Sequence, residues 1–579
     1  MPKIEVYRDA LIQHIGGKPM TDGELEEIFP CAKAELDEPA GDDGVMKVEL
    51  NDTNRPDLWS TAGLARQIRQ YQTGTVAEYP FFSTPGSPAE SGDRRVVVDA
   101  SVEEIRPYVV GFVCSGPPIS EAFLKDLIQT QEKLTWNYGR KRRSIAMGVY
   151  RADLIAWPVH YRGADPDATR FVPLQMEREL TLRQILTEHP KGQEYGHIVA
   201  DLPRFPLLED DNRDVLSFPP VINSAGLGAV EVGDSTLFIE LTGTDMNPLL
   251  HAASIVACDA ADQGYTIQPV KIEYPYDTPH GRELTVPFYF QEAQSVENSQ
   301  INRLLGVDLS RDEVVAALQR MGITTHPVAT GDSDELITIH VPPYRNDFLH
   351  PVDVLEDVMI GRGMESFAPE MPRDFTVGRL TAVEEHRRRV RDLLVGLGFQ
   401  EMIFNYLGSR RDYIDRMYPP EHRAEPTARA VQIANPMSEN YEFLRPSVIA
   451  SLVHAESVSA HAAYPHHVFA IGKVAERDAA DPSGTVTRTN VGMLSADRDE
   501  DFNLVNSRVS AILFHMSQDY TLQEIDDRRF IPGRVAQVVA KDTERVIGVF
   551  GELHPIVLEQ WGIQVPCTVG ELNVEALVK

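Results

Sequence analysis

Cysteine is nearly absent from this sequence. Four occur in 579 residues, at Cys31, Cys114, Cys258 and Cys567, and no two form a CxxC pair, so neither a zinc site nor a disulfide framework is indicated. Long apolar runs are also missing. No stretch of about 18 apolar residues occurs, and no membrane-spanning helix or membrane partner is expected. The opening residues MPKIEVYRDA lack the basic-then-apolar pattern of a secretion signal, so the expected location is the reduced cytoplasm. Positive charge is scarce: 55 basic against 87 acidic residues leave a net charge of −32. That excludes a protein that grips nucleic acid through its overall charge. It leaves room for a local basic surface, or for a partner that supplies the charge.

What is present is the composition of a folded protein, 42% apolar and 25% charged. At roughly 150 residues per domain, the length suggests about four domains. Turn-rich seams divide the chain at 1–85, 90–272, 290–366 and 375–579, with FFSTPGSPAESGD as the first linker. In the first block, Ser60 is an N-cap for the helix LARQIRQY. The second block mixes strands (VVVDASV, YVVGFVCSG) with the helix AFLKDLIQTQEKLTWNYG, whose stripe is Leu124, Leu127 and Ile128. TLFIELT alternates, with Leu237, Ile239 and Leu241 on one face and Phe238, Glu240 and Thr242 on the other. In the third block, Ser310 and Glu313 form a capping box for a helix bearing Val314, Val315, Leu318 and Met321, which ends at Gly322 before the strand LITIHV. The charged helix AVEEHRRRVRDLLVGLG opens the last block, with Arg387, Arg388 and Arg389 on its exposed face. The fold class is multidomain α+β.

The segment PPYRNDFLHPVDVLEDVMIGRG concentrates acids in a helical pattern. Asp353, Glu356 and Asp357 stand at i, i+3 and i+4, an arc of about 100°. Val352, Leu355, Val358 and Met359 take the remaining arc, which is predicted to face the core. Asp347 lies in the loop upstream. Four carboxylates without matching lysines repel unless a cation or a basic partner neutralises them, and hard oxygen ligands suit Mg²⁺. The same spacing also describes acids that favour a helix N-terminus and face water.

Several motifs together resemble one family. NRPDLWSTAGLAR, LLGVDLSRDEVVAALQRMGI, VPPYRNDFLHPVDVLEDVMI, ANPMSENYEFLRPSVIASLV, VFAIGKV and IGVFGELHPIVLEQWGI follow the order found in beta subunits of phenylalanyl-tRNA synthetases of the archaeal and eukaryotic type. The resemblance implies an α/β editing domain at 90–272 and a winged helix-turn-helix-like module at 290–366. It implies a class II synthetase catalytic-like antiparallel-sheet domain at 375–579 that docks an alpha subunit. Two alpha and two beta chains would assemble, the alpha chain binding ATP and charging tRNA(Phe) with phenylalanine. A Mg²⁺ shared with the alpha subunit would be held by Asp347, Asp353, Glu356 and Asp357, the last standing where bacterial members carry Glu. The C-terminal block has no Phe-Arg-x-Glu segment and no Gly-x-Gly-x-x-Arg near its end; class II enzymes use those arginines to clamp ATP phosphates. The bacterial form's added anticodon-binding and oligonucleotide-binding modules are not represented.

The resemblance also implies a second activity, hydrolysis of tRNA wrongly charged with tyrosine. A phenylalanine pocket rejects an analogue that merely adds a hydroxyl by only about 100-fold, whereas a site that hydrogen-bonds the hydroxyl sorts far more sharply. Glu240 is placed to accept from a tyrosine phenol, with Thr242 beside it; by resemblance Leu208, Ser217, Asn223, Ser224 and Gly243 join the pocket. The same alternation fits the solvated face of an edge strand. No Ser-His-Asp or Cys-His arrangement marks covalent hydrolysis, which leaves water activated by groups of the bound tRNA. Arg140, Lys141, Arg142 and Arg143 form the densest basic run, either a contact for acceptor-end phosphates or a solvated charge cluster. The competing reading is a non-enzymatic nucleic-acid-binding protein using the winged helix module; acids on its recognition surface argue against it.

Overall fold

A computed structural model describes residues 2–82, 93–326, 336–459 and 461–578. Most of the linker expected at 81–93 lies outside these residues. The chain divides into two compact units, Met1–Glu370 and Met371–Lys579, so the first three sequence blocks share one unit.

The N-terminal unit opens with an antiparallel sheet of Lys3–Tyr7, Val45–Leu50 and Ala34–Glu38. Its alternating Ile4, Val6, Met46, Val48 and Leu50 are buried. Helix Thr61–Thr73 starts where expected, the Ser60 hydroxyl accepting the Gly63 N–H at 2.9 Å. Arg55 of the NRPD loop is buried and donates to Asp57 at 2.9 and 2.8 Å. That loop therefore folds around an internal ion pair.

A ten-stranded sheet follows. Its order is Ile222–Asn223, Val215–Phe218, Phe205–Glu209, Val159–Ala164, Arg95–Val98, Thr266–Glu273, Tyr108–Ser115, Thr236–Gly243 and Ile145–Arg151, with Glu283–Val286 pairing onto Thr266–Glu273. The two ends of this path come together. Asn223 Nδ2 donates to the Val149 carbonyl at 3.5 Å, and the Arg151 N–H donates to the Leu227 carbonyl at 3.2 Å. These contacts bring the two ends of the sheet together and leave a partly open space at the seam. Helix Met246–Asp262, in which every residue from Leu249 to Ala260 is buried, packs behind strands Tyr108–Ser115 and Thr236–Gly243. On helix Glu121–Lys133 the expected stripe is only partly buried: Leu127 is inside and Ile128 is exposed.

In the 294–366 segment, a three-stranded sheet with Leu336–His340 at its centre carries helices Asn298–Leu305, Arg311–Arg320 and Pro351–Arg362. The capping box forms: the Ser310 N–H donates to Glu313 Oε2 at 2.8 Å, and the Glu313 N–H returns to Ser310 Oγ at 3.4 Å. Gly322 ends the turn at φ +78°. Ala317, rather than Val315, completes the buried face, because the next helix crosses tightly there. A Cβ on Gly361 would lie 2.0 Å from the Ala317 carbonyl oxygen.

The C-terminal unit is built on a seven-stranded sheet in the order Gln400–Glu401, His466–Arg477, Thr485–Ala496, Cys567–Asn573, Val546–Leu553, Phe530–Ala540, Tyr520–Glu524. All its pairings are antiparallel except the first. Both faces are covered. Val491 and Met493 join helices Ala382–Gly396 and Phe502–His515 in one core, while Leu494 and Ala496 join Val448–Val458 and Pro555–Trp561 in the other. Strand alternation thus serves two cores at once.

Candidate functional site

Strand Thr236–Gly243 is not at an edge. Tyr108–Ser115 pairs along one side and Ile145–Arg151 along the other, and every residue from Leu237 to Gly243 is buried. This corrects the edge-strand alternative: Glu240 is only 2% exposed. Both of its cross-strand partners are glycines, Gly111 and Gly148, and room for its carboxylate comes from Gly148. At Gly148 the space is already taken, since a Cβ there would stand 2.5 Å from Glu240 Oε2 and 2.0 Å from the Tyr150 hydroxyl. Glycine is needed for close approach.

The Tyr150 hydroxyl lies 2.7 Å from Glu240 Oε2 and 2.8 Å from Ser217 Oγ. Having one proton, it donates to the carboxylate and accepts from the serine. Burial pushes the Glu240 carboxyl up to about 7, against the pull of the Tyr150 hydrogen bond, the Arg106 charge and the Gly148 backbone. Burial, reinforced by the Glu240 charge, also holds the Tyr150 phenol well above its ordinary value. A carboxylate with a neutral partner and no direct ion pair is thus poised near neutrality.

The space at the seam is a cavity of about 180 Å³, walled by Gln131, Gly148, Tyr150, Ser217, Asn223 and Glu240 among others, with the Pro219-Pro220 turn alongside. Arg142 also reaches it. Residues Arg140, Lys141 and Arg142 all adopt left-handed backbone, φ 51°, 55° and 65°, a conformation costing about 1–2 kcal/mol per residue. The turn is held by the Lys141 and Arg142 N–H groups on the carbonyls of Trp136 and Thr135, each at 2.8 Å. It aims Arg142 inward, where the guanidinium donates to the carbonyls of Pro220 (3.2 Å) and Val221 (3.1 Å) and stacks 4.2 Å from the Tyr195 ring. Burial lowers its pKa. Arg140, Lys141 and Arg143 stay exposed. Arg140, Arg142, Lys133 and Lys191 line a wider cleft of about 1330 Å³ that also holds Trp136. Lys191 and Arg142 belong to both spaces.

The remaining expected pocket residues stand apart from these walls. Thr242 is committed to Arg106, whose Nε donates to Thr242 Oγ1 at 2.9 Å and whose Nη2 donates to its carbonyl at 2.6 Å. Gly243 is packed against the Ser144 carbonyl and the Leu249 side chain. Leu208, in register with Ser217, sits in the core. Ser224 Oγ accepts the Leu227 N–H at 3.3 Å and shapes the turn after Asn223.

The four acids of the 347–357 segment do not converge. Asp347 accepts two hydrogen bonds from Arg345 at 2.9 and 2.6 Å, and Asp357 clamps the same guanidinium from the helix. Asp353 Oδ2 accepts the N–H groups of Leu349 and His350, each at 2.7 Å, at its own helix start. Glu356 pairs with Lys33 at 2.9 Å. The expectation that no cation matched these acids is corrected, and so is the helix orientation. Asp357 is buried and Val352 is 48% exposed, because Val354, Leu355, Asp357 and Val358 face inward around Arg345. Burial would raise the Asp347 carboxyl, but the Arg345 charge outweighs it and holds the group below its ordinary range. No group of three or more His, Cys, Asp or Glu side chains among the described residues is arranged to hold a metal. As placed here, these residues do not fit a magnesium centre, and no chemical step is drawn through one.

Comparison with known proteins agrees with the layout. Residues 295–364 match the tRNA synthetase B5 domain, and 368–574 match the phenylalanyl tRNA synthetase beta chain CLM domain. The phenylalanine-tRNA ligase beta subunit of Borrelia hermsii is 43% identical over 578 residues, and that of Borreliella burgdorferi strain ZS7 is 44% identical over 581, each match covering all of both chains. The chain belongs to the phenylalanine-tRNA ligase beta-subunit family. A crystal structure of an N-terminal fragment of the Pyrococcus horikoshii phenylalanyl-tRNA synthetase beta subunit aligns with 33% identity and a TM-score of 0.57, covering 62% of this chain and all of the fragment.

The C-terminal unit of this family member has its own cavity, about 470 Å³. The arginines along it are held by carboxylates of the same unit: Arg429 by Glu425 and Glu476, Arg488 by Glu476, and Arg529 by Asp527. Guanidiniums already neutralised in this way are poorly disposed to clamp a nucleotide's phosphates.

Sequence reading missed Gly148, Tyr150, Gln131 and Lys191. In AMGVYR, Gly148 and Tyr150 alternate onto one face, but nothing local ties them to a strand 90 residues onward.

Proposed function

We propose that this chain is the beta half of a phenylalanine-tRNA ligase. An alpha chain would bind ATP, activate phenylalanine and charge tRNA(Phe), and the cavity at the sheet seam would hydrolyse tRNA(Phe) wrongly charged with tyrosine. The observation that carries the hydrolytic part is the Glu240 carboxylate, buried without a direct ion pair and facing a partly open cavity with room for a phenol. A tyrosyl group there gives its hydroxyl proton to an acceptor that a phenylalanyl group leaves unpaired, and an unpaired buried acceptor carries a penalty. In the reaction, water oxygen bonds to the ester carbonyl carbon and the acyl–oxygen bond to the ribose breaks. One water proton goes to the ribose oxygen, giving tyrosine and free tRNA.

The wider cleft suits the nucleic acid end. Arg140, Lys141 and Arg143 stand exposed at its rim or beside it and offer charge to acceptor-end phosphates. The chain's −32 net charge supports a larger share of the tRNA grip for the alpha chain. The test is to supply the intact complex with tyrosine, ATP and tRNA(Phe). Glu240→Ala should let Tyr-tRNA(Phe) accumulate while phenylalanine charging stays normal; clearance equal to native removes Glu240 from the pocket.

A further inference from the structure

We propose that Tyr150 is the positioning residue that sets the specificity of the seam cavity, fixing Glu240 with one carboxylate oxygen engaged and the other presented to the hydroxyl of an aromatic substrate. The inference rests on the hydrolytic reading above and names the device behind its selectivity. Tyr150 is fully buried, and its ring lies 5.9 Å from that of Phe238, tilted by 31°. Its hydroxyl occupies Glu240 Oε2 at 2.7 Å. No other side chain among the described residues donates a hydrogen bond to Glu240; the nearby Arg106 spends its guanidinium on Thr242 and the Arg143 carbonyl. With Oε2 taken by Tyr150 and the Gly148 backbone the other hydrogen-bonding group beside the carboxylate, no further side chain among the described residues competes with an incoming donor for Oε1.

The chain of contacts runs further back. Ser217, at 2.8 Å, holds the phenol oxygen of Tyr150 from the opposite end of the sheet path. The relay Ser217, Tyr150, Glu240 thus crosses the seam and depends on its closure. Gly148 makes the relay possible, because a side chain there would displace both the phenol and the carboxylate. Without Tyr150's hydroxyl, the carboxylate can turn within the cavity and its free oxygen is no longer presented in one place. Selectivity for a hydroxylated ring then falls, since it depends on the geometry of one hydrogen bond.

The experiment measures deacylation of Tyr-tRNA(Phe) and Phe-tRNA(Phe) by the intact complex carrying native chain, Tyr150→Phe, Glu240→Gln, or both. The expected result for Tyr150→Phe is a fall of about tenfold or more in kcat/KM for the tyrosyl ester, with less than about a twofold change for the phenylalanyl ester. The double variant should be no worse than Glu240→Gln alone, because Tyr150 acts through that carboxylate. A merely structural tyrosine would slow both esters together, and its loss would add to the Glu240 effect; that pattern overturns the proposal. If Tyr150→Phe keeps native selectivity while Glu240→Gln loses it, Tyr150 is wrong and the hydrolytic reading stands. If Glu240→Gln also clears Tyr-tRNA(Phe) normally, Glu240 does not read the hydroxyl and the proposal falls with it, while failure of the native complex to clear Tyr-tRNA(Phe) would sink the hydrolytic reading itself. Ser217→Ala, which frees Tyr150 without touching Glu240, should shift selectivity in the same direction by a smaller factor. It carries the test should Tyr150→Phe fail to fold.

Discussion

Two of the places where the N-terminal unit buries carboxylates differ sharply in what surrounds the acid. At the acidic helix, Asp347 and Asp357 close on the guanidinium of Arg345, itself only 2% exposed; the Arg345 charge holds Asp347 below its ordinary pKa, while burial keeps Asp357 above its own. At the sheet seam, Glu240 has a phenol, a backbone N–H and open space, and its pKa climbs to about 7. Density of acid in the sequence favoured the first place. A buried carboxylate clamped by a cation has its bonding used up in folding, whereas one that faces a cavity with an oxygen to spare is available to a ligand.

The sharpest way to break the comparison is to remove the clamp. Arg345→Met should leave two buried acids without their cation and destabilise the N-terminal unit by about 3–5 kcal/mol, read by urea unfolding at pH 7. A loss under about 1 kcal/mol would mean that the acids were not relying on Arg345. The next effect is a difference in sign with pH. Glu240 binds its proton more tightly when folded, so the stability it contributes is present below its ordinary value of 4.5 and is lost as pH rises toward about 7. The loss amounts to about 3 kcal/mol, and Glu240→Gln, with no proton to lose, should not show it. Its titratable and charged neighbours, Tyr150, Tyr161 and Arg106, remain in the same charge states across that window. Asp347 behaves in the opposite sense: its contribution is present above its ordinary value and lost as pH falls.

Local signals were legible in the sequence. The Ser60 cap, the Ser310–Glu313 capping box and the Gly322 stop all depend on residues within a few positions of one another, and all appear as read; TLFIELT forms the expected strand, but both its faces are buried. What sequence could not supply was the identity of distant partners. Arg345, two residues from Asp347, was in plain view, but only folding shows that it draws Asp357 inward and rotates Val352 into solvent. Thr242 has the right alternation for the pocket and is taken by Arg106, 136 residues away. Tyr150 meets Glu240 and Ser217 only because the sheet closes on itself. Of the basic run, the backbone turn singles out Arg142 for the cavity and leaves its neighbours to solvent.

The most direct measurement runs Tyr-tRNA(Phe) deacylation by the intact complex with Glu240→Gln and with Asp347→Asn side by side, each rate divided by the folded fraction. A reader at the seam and a clamp at the helix predict that Glu240→Gln loses about a hundredfold in rate while Asp347→Asn, though less stable, deacylates per folded molecule as the native chain does. Equal rates for the two, or a loss confined to Asp347→Asn, would contradict the account.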